Sequence, residues 1–158
     1  VCEDAACKDA LTGIFNRHFL ITEVEWLESL RRRQRRHHQT AFEVGVIFGD
    51  IDGLKKTNDI KGYAAGDALI QRIADVFKKT LRESDLVFRY GGDEFVVLLP
   101  NQTREETEIV LHRLQSAAKG LPVSLGIFFV DSEMPIDAGI EKAGEAMKKT
   151  KAARKSVL

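Results

Sequence analysis

The sequence predicts an α+β domain: a mainly antiparallel sheet with helices packed on its faces. Three observations lead there. Leu86-Val87-Phe88 and Phe95-Val96-Val97-Leu98-Leu99 are short apolar runs on either side of Gly91-Gly92, the pattern of a β-hairpin. Residues 42–48 form a near-continuous apolar run, as expected of a strand buried on both faces. Stretches with helical spacing separate these runs, giving the order helix, strand, helix, strand, strand, helix, strand, helix. With 158 residues, 44% of them hydrophobic, the chain is long enough for one substantial core.

The first helix is expected from Arg17 to about His38, with Asn16 as its N-cap and Phe19, Leu20, Val24, Leu27 and Leu30 on its apolar face. Its end, Arg31 to Arg33, Arg35, Arg36, His37 and His38, reads as a solvated last turn whose cations complement the helix dipole. After the strand at 42–48 a loop is expected, then a helix from about Ala65 to Leu81 carrying Leu69, Ile70, Ile73, Ala74, Phe77 and Leu81. The hairpin follows. A helix from about Arg104 to Lys119, a strand at 122–130 and a last helix from about Ile136 to Lys155 complete the order.

Composition limits the partners. Lys plus Arg and Asp plus Glu both number 24, so no nucleic-acid polymer is expected. No run has the length of a transmembrane helix, and membrane contact is expected only through segments upstream. Cys2 and Cys7 are the only cysteines and have no zinc-site spacing, which leads to the expectation of a reduced, cytoplasmic protein. Val1 is not an initiator Met, so the chain is expected to be a piece of a longer one. Residues 1–8 would be the end of an upstream linker or signalling helix and residues 9–158 one domain.

Chemistry concentrates at the hairpin tip. Gly91 and Gly92 let the backbone take positive φ and let another molecule come close, and the adjacent carboxylates of Asp93 and Glu94 suit a hard cation. Taken alone, Gly-Gly-Asp is also an ordinary solvated turn. Asp50, just beyond the buried strand, supplies a further carboxylate facing the hairpin, the usual way to hold Mg²⁺ with few protein ligands and leave room for phosphate oxygens.

With these segments in place the chain resembles the GGDEF domain of the diguanylate cyclase family, whose pentapeptide stands intact at 91–95. Four further stretches carry the resemblance. Asp9 to Arg17 is similar to the family's D-x-L-T…N-R turn, Asn58 to Asp67 to N-D-x-x-G-H-x-x-G-D with Tyr63 in place of His, and Ser124-Leu125-Gly126 to its S-x-G strand. Arg82-Glu83-Ser84-Asp85 matches R-x-x-D five residues before the glycine turn. The last helix departs most, with Gly144, Lys148 and Thr150 off the A-D-x-A-L-Y-x-A-K pattern that ends at Lys151.

The resemblance implies a palm-like, ferredoxin-related fold and condensation of two GTP to cyclic di-GMP by two facing domains. It implies that Asp50, the Ile51 carbonyl, Asp93 and Glu94 hold Mg²⁺, with Mn²⁺ as the alternative ion, and that Glu94 is a metal ligand or the base for the 3′-hydroxyl. Asn58 and Asp67 would hold guanine. Lys55, Lys151, Lys155 and the backbone at Gly53 and Leu54 would meet phosphates, and Gly92 would stay small beneath the nucleotide. Arg82, Asp85 and Arg113 would bind product and inhibit. By residue type alone, Asp67 is a good helix-start residue, Lys151 and Lys155 a solvated pair four apart, and Arg82 and Asp85 a helix end and a turn former. A non-catalytic module that binds GTP or cyclic di-GMP and signals through a partner is the alternative, and a cyclase using a single nucleotide a third reading.

Overall fold

The computed structural model describes residues 4–157. Four strands, β1 (Val44–Ile51), β2 (Leu86–Arg89), β3 (Glu94–Pro100) and β4 (Val123–Val130), form one antiparallel sheet in the order β2-β3-β1-β4. Five helices, α1 (Arg17–Arg36), α2 (Leu54–Lys61), α3 (Tyr63–Thr80), α4 (Arg104–Ala117) and α5 (Ile136–Val157), pack on its two faces. The α+β fold predicted from the element order is the fold observed.

Side-chain alternation sorts the core into two layers. Ile47, Ile51, Phe95, Val97 and Leu99 point to the face covered by α3 and α4, through Ile70, Ile73, Phe77 and Leu114. Val44, Val46, Phe48, Val96 and Leu98 point to the face covered by α1 and α5, through Leu20, Val24, Leu27, Ile140 and Met147. Because strand side chains alternate with period two, Asp50 continues the Val44-Val46-Phe48 series and Glu94 the Leu98-Val96 series. Both carboxylates therefore emerge on the α1/α5 face.

Three expectations are corrected. The buried strand does not stop at Phe48, because Gly49 and Asp50 remain paired with both β3 and β4, and Ile51 with β4. The stretch after it is not a loop but α2, joined to α3 through Gly62 at φ +89°. The basic end of α1 is not simply solvated: Arg31 is fully buried. Its Nε donates to the Phe42 carbonyl at 3.1 Å, its Nη1 to Glu28 Oε1 at 2.9 Å and to the Met134 carbonyl at 2.8 Å, and its Nη2 to the Asp131 carbonyl. Arg35 donates to the Ser132 carbonyl at 2.6 Å. Glu28 also accepts from the Ile136 amide at 2.8 Å, so one ion pair fastens α1 to the start of α5.

The N-terminal turn is fastened as well. Asp9 Oδ2 accepts from the Thr12 amide and hydroxyl at 3.0 and 2.7 Å, and Asn16 caps α1 by accepting from the Phe19 amide at 2.8 Å. Residues 1–3, and with them Cys2, lie outside the described residues. Cys7 packs partly buried against the α1/α5 core. No helix among the described residues is long and apolar enough to cross a membrane.

Candidate active site

The antiparallel register places Asp50 directly opposite Glu94, and such cross-strand partners share a face of the sheet at short range. Asp93 is fixed beside them by its backbone carbonyl, which accepts from the Ile51 amide at 2.9 Å. Asp93 and Glu94 are half-buried, not fully exposed as a hairpin tip suggests. Neither Gly91 nor Gly92 uses positive φ, a correction to the conformational argument for this pair. Gly91 is needed for space, since a Cβ there would fall on Glu94 Oε1, whereas Gly92 faces open space.

The turn is braced from behind. Arg89 Nη1 pairs with Asp9 Oδ1 at 3.1 Å and its Nη2 donates to the Gly92 carbonyl at 2.8 Å. The guanidinium of Arg17, first residue of α1, lies 4.1 Å above the Tyr90 ring. These contacts link the D-x-L-T turn and the α1 N-terminus to the acidic hairpin.

Asp50 carries the strongest electrostatic signature. Burial pushes its carboxyl up to about 6, the neighbouring Asp93 adds to the rise, and a hydrogen bond from Lys151 opposes it. Its Oδ1 is buried with no hydrogen-bond partner among the described residues. Burial also raises Glu94, helped by Asp93 and opposed by Arg17, Lys148 and Lys151. Carboxylates that resist ionisation beside one another, with a buried lone pair unused, are a donor set suited to a divalent cation. Among the described residues, three acidic, His or Cys side chains do not converge into a cage. The donor set would be completed by the Ile51 carbonyl, as expected of a site with few protein ligands.

Lys151 stands at this point. From the penultimate turns of α5 its Nζ lies 3.1 Å from Asp50 Oδ2, 3.4 Å from the Ile51 carbonyl and 4.0 Å from Asp52 Oδ1. Arg154, one turn on, pairs with Asp52 Oδ2 at 3.1 Å and donates to the Val123 carbonyl and to Ser124 Oγ at 3.5 Å. Ser124 donates to Asp52 Oδ1 at 2.7 Å. The sequence reading missed Asp52, Ser124 and Arg154; the three-residue spacing of Arg154 from Lys151, which puts both on one helix face, was the available signal. α5 reaches this position because Gly126 lets it lie against β4, where a Cβ would overlap the Met147 amide and the Ala143 carbonyl. Lys155 is exposed and is not drawn into the cluster.

The other predicted residues occupy two separate places. Gly53, at φ +69°, begins α2 without a side-chain cap, leaving first-turn amides of the helix free of a side-chain acceptor, and Lys55 is exposed beside it. Leu54 packs partly against the α3/α4 core. On the same helix Asn58 packs against Gly66, where a Cβ would fall on its amide oxygen, and that oxygen is buried without a partner among the described residues. Asp67 is exposed in the first turns of α3. Further away, Arg82, Asp85 and Arg113 line one cavity of about 360 Å³ between the end of α3, the end of β3 and α4. Asp85 is 9% exposed and accepts from the Arg82 amide at 3.0 Å and from Gln102 Nε2 at 3.1 Å.

An acid pair on adjacent strands of the antiparallel sheet thus lies beneath a cation carried by α5. Comparison with known proteins gives the family. The Diguanylate cyclase, GGDEF domain family matches residues 6–156, and the chain belongs to it. It is similar to diguanylate cyclase DgcP of Pseudomonas aeruginosa, 35% identical over 94% of this chain and 23% of that protein. It is 32% identical to diguanylate cyclase DosC of Escherichia coli K12 over 88% of this chain and 32% of that protein. The chain thus spans a quarter to a third of these relatives' lengths. Among solved structures, diguanylate cyclase SiaD of P. aeruginosa, in complex with its activator SiaC, superposes with a TM-score of 0.81 at 28% identity, covering 96% of this chain and 60% of that one. The GGDEF domain of DgcB from Caulobacter crescentus, in complex with c-di-GMP, shares the fold with a TM-score of 0.82 at 22% identity, covering 97% and 94%.

Proposed function

We propose that the chain is a diguanylate cyclase domain that condenses two GTP into cyclic di-GMP and two pyrophosphates. The observation that carries this reading is the pairing of Asp50 with Glu94 across β1 and β3, with an unused buried lone pair on Asp50. In each of two steps a ribose 3′-oxygen forms a bond to an α-phosphorus, the bond to pyrophosphate breaks, and the hydroxyl proton leaves. Glu94, lifted by burial, would take that proton or complete the metal's donors. Mg²⁺, or Mn²⁺ in its place, would be held by Asp50, Ile51 O, Asp93 and Glu94, and when bound supplies positive charge to the phosphate oxygens. The uncapped start of α2 at Gly53 and Leu54, with Lys55, would receive phosphates, as would Lys151 and Lys155. One domain holds one GTP on this reading, so two copies face each other and the rate is second order in protein at low concentration.

A second reading has one observation in its favour: α5 departs from the family pattern and its Lys151 sits on Asp50. On that reading the chain binds GTP or cyclic di-GMP without turnover and signals through a partner. Mass spectrometry of the products formed from GTP and Mg²⁺ at high protein concentration decides between them. Cyclic di-GMP in multiple turnovers supports the cyclase; no product beyond unreacted GTP overturns it.

Two subsidiary proposals have their own tests. Asn58 and Asp67 select guanine, so Asp67→Ala reduces the preference for GTP over ATP by about tenfold or more, the scale of one lost hydrogen bond to a charged acceptor. An unchanged preference in competition binding removes the assignment. Arg82, Asp85 and Arg113 bind product in the cavity they share. Arg82→Ala is expected to raise the cyclic di-GMP concentration needed for half inhibition by about tenfold or more while preserving the initial rate, since a guanidinium fork to a phosphate or guanine edge is lost. Equal inhibition of both proteins counts against the site.

A further inference from the structure

We infer that Lys151 is a tethered stand-in for the metal ion: its ammonium holds the two donors that Asp50 and Ile51 would offer a divalent cation, and it leaves them when that cation arrives. The inference rests on the reading of Asp50 and the Ile51 carbonyl as metal donors, and it adds a role for Lys151 before any nucleotide is present. The geometry is specific. The Nζ lies within hydrogen-bond reach of Asp50 Oδ2 and the Ile51 carbonyl, one side-chain and one backbone oxygen on consecutive residues. A unit positive charge there compensates clustered carboxylates that otherwise repel. It also competes directly, because an ammonium and a divalent ion cannot share the same lone pairs at bonding distance.

The anchor for this arrangement lies one turn further along α5. Arg154 takes Asp52, the Val123 carbonyl and Ser124, so the helix is held against the ends of β1 and β4. With Asp52 occupied by Arg154 and Ser124, Asp50 is the carboxylate closest to Lys151. The lysine side chain is 22% exposed, and a flexible four-carbon stem lets the charge swing outward without moving the helix. Phosphate oxygens entering with the metal would give the displaced ammonium a new partner, so metal and nucleotide bind with positive coupling that depends on this residue.

The test is a Mn²⁺ titration followed by electron paramagnetic resonance, without nucleotide, on the wild type, Lys151→Met, Lys151→Gln and Lys151→Arg, with Asp50→Asn to identify the site. Removing the ammonium is expected to tighten Mn²⁺ binding about two- to fivefold in the Met and Gln variants, the range for a partly exposed ion pair. The Arg variant, which keeps the charge, is expected to stay near the wild-type affinity. A gain in affinity cannot come from misfolding. Equal or weaker binding in Lys151→Met and Lys151→Gln, with wild-type binding abolished by Asp50→Asn, overturns the inference and leaves the metal site standing. Absence of Mn²⁺ binding in every variant, or binding indifferent to Asp50→Asn, overturns both.

Discussion

Asp50→Asn is expected to lower cyclic di-GMP formation by about a hundred- to a thousandfold, the scale seen when a group essential to charge stabilisation is removed, while making the metal-free protein more stable at neutral pH. The two effects have opposite signs because they have one cause. Burial and Asp93 lift the Asp50 carboxyl from 3.8 to about 6, so below pH 4 folded and unfolded chains hold the proton alike. Between pH 4 and 6 the unfolded chain releases the proton first and stability falls as pH rises; above 6 the deficit is constant. The side chain is 15% exposed and opens on one side to water, so the deficit is discounted for screening to on the order of 1 kcal/mol. Asparagine removes it. In EDTA the variant's Tm should exceed the wild type's by about 2–4 °C at pH 7.5 and by nothing at pH 3.5. A lower Tm at pH 7.5 would mean that the pair with Lys151 outweighs burial.

Arg31→Ala is expected to be the most destabilising single change on the α1/α5 side, by about 3–5 kcal/mol, the cost of removing one partner from a buried ionic network. The Phe42, Asp131 and Met134 carbonyls lose their donor, and Glu28 keeps only the Ile136 amide. Thermal unfolding should fall by about 10 °C or more. Arg31→Lys should recover little, since one ammonium cannot reach carbonyls spread around a planar fork. A Tm change under about 2 °C in Arg31→Ala would show that the network contributes nothing net. Because the same network seats the start of α5, the variant should also weaken the placement of Lys151 and Arg154 over Asp50 and Asp52.

What the sequence made legible was local. Short apolar runs in β2, β3 and β4, helical spacing in α1, α3 and α4, and the glycine turn were enough for the sheet and its hairpin. The acid cluster was legible because Asp93 and Glu94 adjoin the turn and Asp50 ends an apolar run. Its register partner could not be read, since the Asp50–Glu94 pairing is set by strand alignment across 44 residues of chain. Gly49 and Asp50 are turn formers by preference, yet hydrogen bonding to two neighbouring strands keeps them extended. Helix α2 was missed because Leu54 to Lys61 has no buried residue and hence no apolar stripe to detect. Arg31 looked like its exposed neighbours because its carbonyl acceptors lie 11 to 103 residues away. The same distance hid Arg154 from Asp52.

The order β2-β3-β1-β4 gives the site an uneven rigidity. β1 is bonded on both flanks from Val44 to Asp50 and lies between two apolar layers, so the amides around Asp50 belong with those that exchange hydrogen only when the entire molecule unfolds. Glu94 sits where β3 leaves the turn, beyond the Arg89–Phe95 pair that closes the β2 ladder, and Lys151 reaches Asp50 from α5 on a flexible, partly exposed stem. Those two should fluctuate with far smaller opening energies. An arriving cation meets one stationary carboxylate and gathers the other groups around it, so the position of the bound ion is dictated by the slowest-exchanging strand of the protein.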